Sequence, residues 1–162
     1  MLRTRPGHAS TLTPDLTPSL TANLLPSLVF ERRIRATSAK IYAAWTQPEQ
    51  LIRWFGSDAG PTLCAEADVR VGGCFHLRFR TLDGEEHEVR GVYREVVSPR
   101  RLSFTWTWAG PHERQSLVTV ALEPDGDATL LRLTHEQIVD DPVHDYRRGW
   151  IGALDKLEQL FA

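Results

Sequence analysis

Along the stretch 141–162 (DPVHDYRRGWIGALDKLEQLFA), apolar residues recur at steps of three and four. Tyr146, Trp150, Ala153, Leu154, Leu157 and Phe161 therefore share one stripe of a helix, and Arg147, Arg148, Asp155, Lys156, Glu158 and Gln159 cover its other faces. Asp141 is placed to cap this helix, and Pro142 to sit in its first turn, where a missing N–H costs nothing. A helix with one apolar stripe must lie on a surface. The chain between Leu28 and His135 supplies one, because most of it alternates with the period of a strand.

The alternation begins at Leu28–Ile34, where Leu28, Phe30 and Arg32 face one side and Val29, Glu31 and Arg33 the other. Arg32 breaks the apolar face. Thr37 or Ser38 then caps a short helix with Ile41, Tyr42, Ala44 and Trp45 on its apolar side. Pro48 ends that helix and starts a second one carrying Leu51, Ile52, Trp54 and Phe55. Strand signals follow at Thr62–Ala67, Cys74–Thr81, Glu86–Val97, Arg101–Trp108, Gln115–Glu123 and Ala128–His135. Asp83-Gly84 marks a hairpin turn, Gly72-Gly73 permits a backbone turn with positive φ, and Pro124-Asp-Gly-Asp marks another turn. Hairpin connections imply an antiparallel sheet, and helices gathered on one side make the class α+β. A curved sheet and a straight helix do not touch along their whole length, so a cavity is expected between them.

Residues 1–26 are of different material. Thr, Ser and Pro dominate and the apolar residues show no sustained period, so a disordered arm is expected ahead of one domain at 27–162. Hydrophobic residues make up 41% of the 162 residues, charged residues 25%, and the formal net charge is −2. That balance gives no field to attract nucleic acid, and no apolar run is long enough for membrane insertion. Cys64 and Cys74 are the two cysteines, too few for a disulfide framework; a reducing, cytoplasmic setting is the default.

Several segments carry a likeness. They are Arg33-Ile-Arg-Ala, Ile41-Tyr-Ala-Ala-Trp45, Gln47-Pro-Glu-Gln-Leu51 with Trp54-Phe55, Asp68-Val-Arg-Val-Gly-Gly73, Asp83-Gly84 and Gly91-Val-Tyr. Pro99-Arg-Arg-Leu102 leading to Phe104-Thr-Trp106, then Thr129–His135 and Gly149-Trp150, complete the set. In this order they resemble the activator-of-heat-shock-protein-90-ATPase homologue family. That family lies within the START/polyketide-cyclase/birch-pollen-allergen superfamily. The resemblance implies the helix-grip fold: a curved antiparallel sheet of about seven strands around a long C-terminal helix, with two short helices after the first strand. It implies a cavity and no particular reaction. Family members include co-chaperone domains, cyclases and toxin-sequestering resistance proteins. Eukaryotic co-chaperones of this kind carry a further N-terminal domain, in whose place stands the Pro/Thr-rich arm, so a chaperone partner is disfavoured.

Candidate chemistry follows the inward faces. Trp106 and Trp108 on one strand, Phe75, Leu77 and Phe79 on another, and Trp150 on the helix read equally as core filling or as the wall of a pocket for a flat ligand. Trp54, Phe55, Tyr93 and Tyr146 extend the same set. His135 ends an otherwise apolar face and reads either as an acid or base in the cavity or as a histidine satisfied by the core. If the protein is an enzyme of the cyclase or dehydratase kind, His135 is the first catalytic candidate and Tyr93 the second. Glu85-Glu-His-Glu88 does not make a metal site by itself, because His87 faces away from Glu86 and Glu88 on a strand. Their expected use is pairing with Arg78 or Arg80. Cys64 and Cys74 lack CxxC spacing and histidines at ligand spacing, so no metal and no cofactor is expected. Asp68 and Arg70 read as fixing a turn. The outward positions His76, Arg78, Arg80, Ser103, Thr105 and Thr107 are polar and argue against a large protein-docking face. The expected partners are a hydrophobic small molecule and a second copy of the chain.

Overall fold

The computed structural model describes residues 27–56, 60–110, 114–139 and 145–162. The expected arm at 1–26, and Asp141 and Pro142 as a helix start, lie outside the described residues. Seven strands form one antiparallel sheet: β1 (Leu28–Ile34), β2 (Thr62–Ala67), β3 (Cys74–Arg80), β4 (Glu86–Val97), β5 (Arg101–Trp108), β6 (Gln115–Asp125) and β7 (Ala128–Glu136). Their spatial order is β1-β7-β6-β5-β4-β3-β2. Among the described residues three helices accompany the sheet: α1 (Ser38–Thr46), α2 (Pro48–Trp54) and α3 (Tyr146–Leu160). The sheet is a meander from β2 to β7, closed on its far side by the first strand, so β1 and β2 form its edges.

Local chemistry accounts for the helix ends. Thr37 is the α1 cap, its hydroxyl accepting from the Lys40 N–H, and Pro48 occupies the first turn of α2. α3 begins at Tyr146 and is capped by Asp145, whose carboxylate accepts from the Arg148 N–H at 3.1 Å. The cap is thus Asp145: an acceptor oxygen immediately before the first turn reaches its orphan N–H groups.

The predicted stripe of α3 is its buried face. Trp150, Ala153, Leu154 and Leu157 are buried, with Tyr146 and Phe161 half-buried against the same core. Opposite them lie Phe75, Leu77 and Phe79 of β3, Val89 and Tyr93 of β4, Leu102, Phe104 and Trp106 of β5, Val118, Val120 and Leu122 of β6, and Leu131 and Leu133 of β7. Arg32, which broke the alternation of β1, lies toward the helix. Its guanidinium pairs with Asp155 at 2.7 Å and Glu158 at 3.3 Å, tying β1 to the polar flank of α3. Trp54 of α2 is fully buried and donates its indole N–H to the Ala44 carbonyl at 2.9 Å, locking the two short helices together.

Three irregularities shape the sheet, one of them a register shift between Tyr93 and Glu95 where β4 pairs with β5. Gly91 sits on the inner face of β4 under the Phe75 ring; an added Cβ there would meet the Thr105 carbonyl oxygen at 1.9 Å and Phe75 at 2.5 Å. Only glycine permits this close approach of β4 to β5, a place where a sheet can bend. In β2, Thr62 pairs with Phe79 but Cys64 pairs with Arg78, so one extra residue is inserted opposite β3. Such a bulge reverses which side chains face out beyond it. No described helix is long and apolar enough to cross a membrane.

Candidate functional site

A cavity of about 300 Å³ opens where the first turns of α3 part from the ends of β3 and β5. Its floor is aromatic: Phe55, Phe79, Trp106, Trp108, Tyr146 and Trp150. Phe55 enters because the chain leaves α2 there in extended conformation. The strand alternation brings in Phe79, Trp106 and Trp108, and the helical step of four joins Tyr146 to Trp150. The rings hold one another edge to face. Trp106 and Trp108 have centroids 5.4 Å apart at 88°, and Phe55 and Phe79 5.8 Å apart at 70°. The Trp108 indole N–H donates to the Tyr146 hydroxyl at 3.1 Å, joining the sheet wall to the helix wall.

The rim is polar. Thr81, Asp83 and Glu85 of the β3–β4 turn, His87 of β4, and Asp145 and Arg148 of α3 surround the opening. The Asp83 carboxylate accepts from the Thr81 hydroxyl and from the Glu85 N–H, which hold its pKa below the usual carboxylate range. His87 stacks on Phe79, with centroids 5.4 Å apart and planes 27° from parallel. These rim groups were missed by sequence reading. Asp83-Gly84 reads from the sequence as a turn, and His87 reads only as facing away from Glu86 and Glu88. Its position opposite Phe79 in the β3–β4 register is the signal that places it at the cavity.

The sequence-predicted residues divide into two groups. Phe55, Phe79, Trp106, Trp108, Tyr146 and Trp150 meet at this cavity. Phe75, Leu77 and Tyr93 lie deeper, around a separate void of about 20 Å³ that Phe55 and Trp106 also border. Room for about one water is all that such a volume provides. Trp54 belongs to the packing between α1 and α2. The two catalytic candidates are placed away from the cavity lining. The Tyr93 side chain is buried, and desolvation, foremost, raises its pKa well above the ordinary phenol value.

His135 is fully buried behind Trp106 and Trp150. The Trp150 indole N–H donates to its Nδ1 at 2.9 Å, and its Nε2 lies 2.7 Å from the Ser116 hydroxyl. An indole nitrogen can only donate, so Nδ1 is the acceptor and Nε2 carries the proton. Both nitrogens are occupied, and burial lowers the pKa from 6.5 to about 3. The lone pair that a general base would use is already engaged. His135 orients Trp150, a wall of the cavity. By contrast the buried indole N–H of Trp106 has no hydrogen-bond partner among the described residues.

One cluster runs against the expectation of no metal ligands. The Cys64, Glu66 and His76 donor atoms all lie within 4.8 Å of one another on the outer face of the sheet. Cross-strand register, not sequence spacing, brings the histidine to the cysteine. Of the expected carboxylate pairings in β4, Glu86 does meet Arg80 at 3.1 Å, while Glu88 meets His76 at 2.5 Å. Arg70 and Asp68 pair at 2.9 Å within their turn, as anticipated.

A single curved antiparallel sheet closed over one long helix, with an aromatic cavity at the mouth between them, defines a helix-grip domain of the START-like type. The family model described as "Activator of Hsp90 ATPase homolog 1-like protein" matches residues 35–162, and the chain belongs to that family. Among solved structures, a Chromobacterium violaceum protein is similar at 25% identity with a TM-score of 0.76, over 83% of this chain and 96% of that one. A Rhizobium leguminosarum protein is similar at 27% identity and TM-score 0.74, over 84% and 93%. CalU16 from Micromonospora echinospora is similar at 28% identity and TM-score 0.62, over 84% and 76%. No curated protein matches the chain.

Proposed function

We propose that this protein binds a small, flat, hydrophobic or aromatic molecule in the mouth cavity and does so without turning it over through His135 or Tyr93. The observation that carries the reading is the junction of six aromatic rings with a polar rim in a cavity of about 300 Å³. Ligand sites are concave and mostly apolar, with a few polar groups that set orientation. An apolar cavity of about 150 Å³ holds benzene, so this one suits a molecule of roughly two rings. The buried Trp106 indole N–H, without a hydrogen-bond partner among the described residues, favours a ligand that seats a carbonyl or hydroxyl oxygen against it. An oxygen that reached it would remove a cost of about 1–3 kcal/mol. Among the described lining residues the charged side chains Asp83, Glu85, Asp145 and Arg148 lie at the rim, and the floor is apolar and aromatic.

The test is a thermal-shift and tryptophan-fluorescence screen against flat aromatic, polyketide-like, lipid and sterol compounds. At ~100 times its dissociation constant a ligand adds about 2.7 kcal/mol of stability, several degrees in Tm for a domain of this size. A hit is expected among aromatic ketones and phenols, with Trp108→Ala weakening it at least about tenfold. A panel without any shift would show the rings to be packed core and end the proposal. We further propose a START-like domain at 27–162 and a cytoplasmic setting, supported by the family and by two free cysteines.

A further inference from the structure

On the outer face of the sheet, away from the aromatic cavity, three different donor types converge. Cys64 and Glu66 lie two residues apart on β2 and share a face; Glu66 is directly opposite His76 of β3 in register. His76 Nδ1 is 3.6 Å from a Glu66 carboxylate oxygen, and Cys64 Sγ is 3.7 Å from the same oxygen. A tetrahedral zinc ion with its usual bond lengths, about 2.0–2.3 Å, sets ligand atoms about 3.3–3.6 Å apart. Two of the three edges of such a site are already near that length, and the third, Cys64 to His76, is within 4.8 Å.

The neighbours of these donors prepare them for a cation. Glu88 of β4 lies 2.5 Å from His76 Nε2. A carboxylate oxygen accepts, so Nε2 is the donor and carries the proton, and Nδ1, 3.6 Å from Glu66, keeps its lone pair for the cluster. A carboxylate behind a ligating imidazole is the usual outer support of a zinc histidine. The bulge in β2 has its consequence here. Without the inserted residue, Cys64 would follow Thr62 onto the inner face opposite Leu77; with it, Cys64 pairs with Arg78 and joins Glu66 outside. Glu66 and His76 also border an open cleft of about 710 Å³ that runs past Arg90 and Thr107, leaving room for a further ligand to approach.

We propose that Cys64, Glu66 and His76 form a zinc-binding site at the β2–β3 edge, with Glu88 as the positioning residue for the imidazole and a fourth coordination position open to solvent. On binding, the Cys64 thiol releases its proton to water as the sulfur–metal bond forms. One thiolate and one carboxylate then balance the two charges of the ion. Arg78, opposite Glu88 in the β3–β4 register, and Arg90, two residues along β4, set positive charge beside the outer carboxylate.

The experiment is a Co²⁺ titration of the full chain under reducing conditions, followed by displacement with Zn²⁺. Bound thiolate gives cobalt an intense near-ultraviolet charge-transfer band. Since the sequence holds two cysteines, that band must come from Cys64 or Cys74. The expected result is one equivalent of Co²⁺ bound with the band present, and Zn²⁺ abolishing it. Cys64→Ser removes the band, while Cys74→Ser leaves it intact. His76→Ala lowers affinity, and Glu88→Gln lowers it roughly 10–100-fold with the band retained. No band in the unaltered chain, or a band that survives Cys64→Ser or vanishes in Cys74→Ser, overturns the site.

Discussion

At the scale of the residue, His135 shows how position decides the use of a side chain. A histidine at the end of an apolar strand face reads from sequence as a candidate acid or base. In the fold its Nδ1 receives the Trp150 N–H and its Nε2 serves Ser116, so it is a neutral spacer between helix and sheet. Its titration should show in stability. In the unfolded chain it takes up a proton near pH 6.5, while in the folded protein it resists protonation down to about pH 3. The unfolded state therefore binds one more proton throughout that window. Stability is full above pH 6.5 and falls as the pH drops, by about 1.4 kcal/mol per unit from this residue. Denaturant melts at a series of pH values are expected to show this slope in the unaltered protein and to lose it in His135→Gln. An unchanged slope in that variant would mean that other groups set the acid sensitivity. Ordinary fluorescence of Trp150 should also change in the variant, because its N–H loses a fixed acceptor.

At the scale of the element, the strands are ordinary except where the backbone breaks its own rule. Gly91 lets β4 approach β5 so closely that no other residue fits without movement. Gly91→Ala places a methyl group 1.9 Å from a backbone carbonyl oxygen, which must shift along with the Phe75 ring. Overpacking of this kind costs about 1–3 kcal/mol or more. Equilibrium unfolding should show a loss of at least that lower value; a neutral effect would mean that the bend is freely adjustable. α3 presents the opposite case, an element whose sequence pattern was sufficient. Its stripe was legible, since the period of 3.6 belongs to the local chain. Its start was less so, since Asp141 and Asp145 are chemically alike and only backbone geometry picks Asp145 as the cap.

At the scale of the whole molecule, the prediction concerns autonomy. The described aromatic core, sheet and helices lie within 27–162. Deleting residues 1–26 is expected to leave Tm within about 2 °C of the full chain, a change below 1 kcal/mol for a domain of this size. A larger drop would show that the arm packs on the domain and would redraw the boundary.

Strand and helix periods, turn residues and the ordered family segments were enough to determine the α+β class, the seven strands, the helix face and six rings of the candidate site. These are legible because they depend on which way a side chain points along its own element. Tertiary structure alone decided the rest. It separated Phe79, Trp106 and Trp108 at the mouth from Phe75, Leu77 and Tyr93 in the packed interior, although both sets sit on the same inward faces. It spent the lone pair of His135 on Trp150, a residue 15 positions away. It also placed His76 beside Cys64, through a bulge and a strand register that no local spacing encodes. Which way a side chain points is a property of a few consecutive residues. Which side chains it then meets depends on where the sheet bends, slips and parts from the helix, and these are determined by the packing of the whole chain.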